Sequence, residues 1–285
     1  AEARGAAACP RPKAIIAPHA GLRHCGRTAA FAYAPVLAAP PSRVVLLGPS
    51  HHKRVRGCSL PPRGLAAYDT PLGRLELDLE SLEELRDTGD FGEFTAGEDE
   101  AEHSIEMQLP FTALCTEPEG CSLVPIFAGQ LSMEDCCAYA AHLEDLFDDP
   151  DTLFVVSSDF CHWGAKFRYQ PRLEATFGQQ SPVPGMGASG ADNPVNAGIE
   201  ALDLRGIELV RRQNLDAFSS YLEAEGNTIC GRNPIRLLLK LLSDRPGSYS
   251  VRFPHYSQSR LLGPDPGPRD SSVSYAAGVC EPVHR

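Results

Sequence analysis

Four short, continuous apolar runs mark the chain, and each ends in a polar or glycine-containing segment. Lys13-Ala14-Ile15-Ile16-Ala17-Pro18 leads into His19-Ala20-Gly21. Ser42-Arg43-Val44-Val45-Leu46-Leu47 leads into Gly48-Pro49-Ser50-His51-His52. Leu123-Val124-Pro125-Ile126-Phe127 is the third, and Leu153-Phe154-Val155-Val156-Ser157, ending in Ser158-Asp159, is the fourth. Runs without polar alternation predict strands covered on both faces. Between them, apolar positions at helical spacing predict helices over 26–38, 79–87, 102–115 and 133–147, the third interrupted at Pro110. Asn233-Pro234 predicts a further helix over 235–242, with Asn233 as its cap and Pro234 in its first turn.

Strands alternating with helices predict βαβ crossovers. The expected fold class is α/β: a three-layer single domain over 1–285, with a mostly parallel or mixed central sheet flanked by helices. Segments 251–253 and 272–276 are expected as antiparallel additions. Residues 179–196, rich in Gly, Pro, Ser and Asn, are expected to form a surface loop insertion.

A length of 285 residues suffices for one large core. The formal net charge of −11 repels phosphate backbones, which argues against a general nucleic-acid binder. No stretch approaches 18 consecutive apolar residues, and no basic-then-apolar leader opens the chain. A cytoplasmic protein without a membrane span is expected, its ten cysteines mostly reduced thiols. There is no CxxC pair, phosphate loop, GxSxG elbow or HExxH pair. The GxGxxG match at Gly185-Met186-Gly187-Ala188-Ser189-Gly190 lacks a strand before it, so it carries no dinucleotide reading.

Candidate chemistry gathers after the strands. His19, His51 and Asp159 each follow a predicted buried strand, and in open α/β sheets ligand sites collect at the carboxyl ends of strands. Of the adjacent pair His51-His52, only one is expected to face a site, because neighbours on extended chain point opposite ways. Cys230 stands just before a helix start and near Arg232, both of which favour a thiolate, a strong ligand for soft or borderline metals. Asp159 and His162 lie three residues apart, as a carboxylate orienting an acid–base histidine would. His103 and Glu106 share one helical face. Taken alone, each of these residues also has an ordinary structural explanation.

Six ordered motifs then resemble one family. They are Ile15-Ile16-Ala17-Pro18-His19-Ala20-Gly21, Leu47-Gly48-Pro49-Ser50-His51-His52, Glu102-His103-Ser104-Ile105-Glu106-Met107, the run from Phe154 to Gly164, Asn227-Thr228-Ile229-Cys230-Gly231-Arg232 and the run from Asp270 to Gly278. Together they resemble the Memo family, named for a mediator of ErbB-driven cell motility. The resemblance implies a fold similar to class III extradiol dioxygenases. It also implies an iron or copper ion held by His19, His51 and Cys230, with His162, Asp159 and His103 as candidate catalytic groups. Three functions stay open: a redox or metal-handling protein linked to motility signalling, a non-enzymatic adaptor for phosphotyrosine peptides or another signalling partner, and a ring-cleaving oxygenase. The family's usual segment with a Trp-Tyr pair upstream of the first strand is missing here, where Trp163 is the only tryptophan.

Overall fold

The computed structural model describes residues 11–116, 120–171, 183–184 and 193–283. In chain order the first elements are β1 (Ala14–Ala17), α1 (Leu22–Ala38), β2 (Arg43–Pro49), β3 (Cys58–Leu60), β4 (Ala67–Thr70), β5 (Gly73–Leu77) and α2 (Leu79–Asp87). Next come β6 (Gly92–Glu93), α3 (Ala96–Ala101), α4 (His103–Glu106), α5 (Leu109–Cys115), β7 (Ser122–Ala128), α6 (Met133–His142) and α7 (Glu144–Asp148). The chain then forms β8 (Thr152–Ser157), β9 (His162–Gly164), α8 (Pro194–Arg211), α9 (Leu215–Glu225), α10 (Arg232–Ser243), β10 (Tyr249–Gln258) and β11 (Ser271–Pro282).

One mixed sheet organises the domain, in the order β10-β11-β1-β8-β2-β7-β3-β6. Its centre, β1-β8-β2-β7, is parallel throughout. β11 adds antiparallel to β1, and β10 adds antiparallel to β11. In β2, Val44, Val45, Leu46 and Leu47 are each 0% exposed. Consecutive residues of a strand face opposite sides, so both faces of the sheet are covered. Each such side chain contributes about 1.5–3 kcal/mol relative to exposure. Helix α1 packs on β1, β10 and β11, while α10 packs on β2, β8 and α6. The α/β class, the central parallel strands and the antiparallel additions are as expected. Among the described residues, no helix is long and apolar enough to cross a membrane.

Helix boundaries differ from expectation at four places, the first being α1, which begins at Leu22 and not at 26. The break in 102–115 falls at Met107–Gln108, and Pro110 lies in the first turn of α5. A first turn needs no N–H from that position, so proline opens the helix there. The 133–147 helix divides at Leu143, whose N–H turns back to Ala140 O at 3.0 Å and tightens the last turn of α6. Helix α10 begins at Arg232 with Gly231 at its cap, so Asn233 is inside the first turn and not the cap. Its Nδ2 donates to Gly129 O at 2.5 Å instead. Of the expected loop, 179–182 and 185–192 lie outside the described residues, and Asn193 leads into α8.

Candidate metal centre

β1, β8 and β2 run side by side in one direction, so the residues that follow them meet at one edge of the sheet. His19, His51 and Asp159 each lie two residues past their strand. His103 joins them from α4. Helix α4 is seated tightly against β2: a Cβ on Gly48 would stand 2.6 Å from Ser104 Oγ. Ring centroids of His19 and His51 are 5.2 Å apart, His19 and His103 5.5 Å, and His51 and His103 4.7 Å. One ligand nitrogen from each of these three rings lies within 4.8 Å of the others.

Hydrogen bonds fix which nitrogen of two rings faces inward. His51 Nδ1 lies 2.8 Å from Glu102 Oε1, and His51 N–H donates to Glu102 Oε2 at 2.5 Å. Ser104 N–H also donates to Glu102 Oε1, at 3.0 Å. Burial alone would raise the Glu102 carboxyl; the His51 ring and the His51 and Ser104 N–H groups reverse this and hold it down to about 2. An ionised carboxylate can only accept, so in the neutral ring the proton sits on His51 Nδ1 and Nε2 keeps its lone pair. His19 Nδ1 lies 2.8 Å from Ser157 Oγ. The single Ser157 hydroxyl proton goes to Ser104 O at 2.6 Å, so Ser157 accepts from His19. Gln108 Nε2 also donates to Ser157 Oγ, at 2.9 Å. His19 Nε2 is therefore the free lone pair. The His19 ring is buried at 3% exposure. Burial, then the neighbouring His51, His103 and His162 rings, holds it well below its ordinary value and so neutral.

Cys230 Sγ stands 3.2 Å from that same His19 Nε2. Asp159 N–H points to Sγ at 3.2 Å. The position depends on Gly231: a Cβ there would lie 2.5 Å from Ser157 O, so only glycine lets this segment close onto β8. Without a bound ion, burial and then Asp159 push the Cys230 thiol well above its ordinary value. The expected help from Arg232 and the helix start is outweighed, and the Arg232 Nε–H is spent on Ile229 O at 2.9 Å.

The remaining candidates take different positions. Asp159 is buried and its Oδ1 accepts the His19 N–H at 2.9 Å. Burial pushes its carboxyl up to about 7, opposed by the N–H groups of His19 and Ala20. The carboxylate therefore braces the His19 backbone, where orientation of His162 was expected. His162 Nδ1 donates to Phe160 O at 2.8 Å, and burial lowers its pKa, leaving Nε2 as a base. His52 is exposed, with its ring 6.0 Å from His103. Glu106 is exposed as well, so the acid that matters near His103 is its other neighbour, Glu102. Sequence reasoning missed Glu102 and Ser157. An acid directly before a motif histidine was the available signal for the first, whereas nothing local marks Ser157.

Comparison with known proteins places these residues in context. The sequence profile described as Memo-like protein matches residues 3–279. The memo-1 homolog of Caenorhabditis elegans is 38% identical over 271 residues, covering 94% of this chain and 72% of that protein. Human MEMO1 is 38% identical over 272 residues, covering 94% and 84%, and Danio rerio MEMO1 is 39% identical over the same lengths. A solved structure of an uncharacterized protein from Escherichia coli K12 aligns over 92% of this chain and 98% of its own, at 15% identity and a TM-score of 0.45.

Proposed function

This chain belongs to the Memo family, and from that premise we propose that His19, His51 and Cys230 hold an iron or copper ion with a redox or metal-handling role linked to motility signalling. One observation carries the reading: His19 and His51 both keep Nε2 lone pairs, and Cys230 Sγ lies 3.2 Å from that of His19. A nitrogen and a sulfur sharing one tetrahedral ion, with bonds of roughly 2.0–2.1 Å and 2.3 Å, stand about 3.6 Å apart. The two groups need to part by only a few tenths of an ångström to accept one.

The donor set resembles two histidines and a carboxylate with the anion exchanged for a thiolate. The formal charge of that set is kept, while the softer sulfur favours copper(I) or alters the potential of iron. A bound ion of this kind supplies an exchangeable electron and open coordination positions. Glu102 and Ser157 would orient the two imidazoles, as outer partners of metal-bound histidines do. His162, with its Nε2 free, would take or return a proton at the edge of the site.

His19→Ala is expected to abolish stoichiometric metal in anaerobically purified protein, measured by elemental analysis. Full metal content in that variant would sink the reading. Cys230→Ser should remove sulfur-to-metal charge-transfer absorption, and persistence of that band would take Cys230 out of the ligand set.

A further inference from the structure

One histidine of the cluster lacks the anchoring that the others have. His19, His51 and His162 each commit Nδ1 to a hydrogen bond. His103 Nδ1 has Glu102 Oε1 at 3.7 Å, beyond hydrogen-bond range, and that oxygen already receives His51 Nδ1 and Ser104 N–H. The His103 side chain is 46% exposed, against 28% for His51. Its ring stacks on His51 with an interplanar angle of 20°. A ring nitrogen of His103 nevertheless lies within 4.8 Å of ligand nitrogens of both His19 and His51.

Two imidazole nitrogens on one tetrahedral ion stand about 3.3 Å apart. Bringing the three imidazole nitrogens to that spacing takes about 1.5 Å at most, and Cys230, which stands beside His19 but outside this group of three, completes the set from the His19 side. A half-exposed side chain with no hydrogen bond to any described residue can make that movement by rotation. We infer that His103 is a fourth protein ligand of the centre, completing a set of three imidazoles and one thiolate. The inference rests on the metal-binding reading above. Its consequence is a site with two kinds of side. His19 is fixed by buried partners, Cys230 offers a soft anion, and His103 is a nitrogen ligand that can leave. With all four engaged the centre is closed in the manner of a holding site, and with His103 swung away one position opens.

Zinc(II) is the probe, because it leaves the thiolate chemically unchanged. X-ray absorption of the full chain loaded with one equivalent should show one sulfur and three imidazoles. In His103→Gln the imidazole count should fall to two, and chelator competition should show at least about tenfold weaker binding, the lower end of what loss of an outer-shell partner costs. His52→Gln, at the exposed neighbour, should change neither readout. Two imidazoles in the unaltered protein would overturn the inference, as would an unchanged count and affinity in His103→Gln, or loss of the third imidazole through His52→Gln instead. If His19→Ala keeps its metal, the underlying reading and this inference fall together. If His19→Ala loses metal while His103→Gln matches the parent, only the fourth ligand is lost.

Discussion

Two carboxylates, Glu102 at the open edge and Asp203 on α8, are hidden to the same degree, at 1% and 0% exposure, and titrate in opposite directions. Burial pushes both up. Glu102 is nonetheless held down to about 2, because an imidazole and the backbone N–H groups of His51, Ser104 and, at 3.4 Å, His52 converge on it. Asp203 receives neutral side-chain donors, Asn227 Nδ2 at 3.2 Å, Tyr256 Oη–H at 2.9 Å and the Ser274 hydroxyl, and one backbone N–H, that of Cys161. These do not offset the cost of burial, and its carboxyl rises to about 6. Burial alone therefore does not decide charge; the donors do. The lasting negative charge sits beside His51. The Asp203 network is a brace that joins α8, β10 and β11 to Asn227, three residues before Cys230.

The comparison can be broken most strongly through pH. A folded-state pKa of about 6 lies above the ordinary carboxylate value, so the native state holds the Asp203 proton longer than the unfolded chain does. Stability from this group is fully present below pH about 4, falls as pH rises through about 6, and is flat beyond. The loss is about 3 kcal/mol. Denaturant unfolding at pH 4 and pH 7 should show that much more loss in the parent than in Asp203→Asn. Parallel changes in the two proteins would mean that Asp203 does not titrate as described.

Glu102→Gln comes next. An amide offers one acceptor where the carboxylate offers two, and its NH2 facing His51 Nδ1 would move the ring proton onto Nε2. Metal affinity should fall by about 10–100-fold in chelator competition. Unchanged affinity would show that His51 needs no ionised partner. Ser157→Ala has the smallest expected effect, a loss of about 1 kcal/mol in unfolding free energy. Gln108 Nε2 keeps the carbonyls of Ala17 and Pro18 as partners, which limits the cost. A loss comparable to that seen with Asp203 would make Ser157 a structural keystone as well as the orienter of His19.

Much of the frame was legible from apolar runs, because strands buried on both faces must be apolar throughout. That pattern located β1, β2, β7 and β8, and with them the strand ends that present His19, His51 and Asp159. Boundaries were less legible. Pro110 was read as a breaker because a proline in mid-pattern looks the same whether it interrupts one helix or opens a second. Asn233 was read as a cap because the close approach that reserves that place for Gly231 involves Ser157, far away in sequence. The helical face of His103 and Glu106 drew attention to the wrong acid, since α4 is one turn long and Glu102 before it turns inward.

The sequence by itself determined the α/β class, the family, and the histidines and cysteine carried by its motifs. Only the tertiary structure decided which nitrogen of each ring is free, that Cys230 faces His19, and that Glu102 and Ser157 hold the rings in place. The reason is separation along the chain. Glu102 reaches His51 across 51 positions, Ser157 reaches His19 across 138, and Cys230 reaches His19 across 211. A hydrogen bond that sets a tautomer is a contact of a few ångströms, and no local pattern encodes a partner that distant until the sheet has brought the strand ends together.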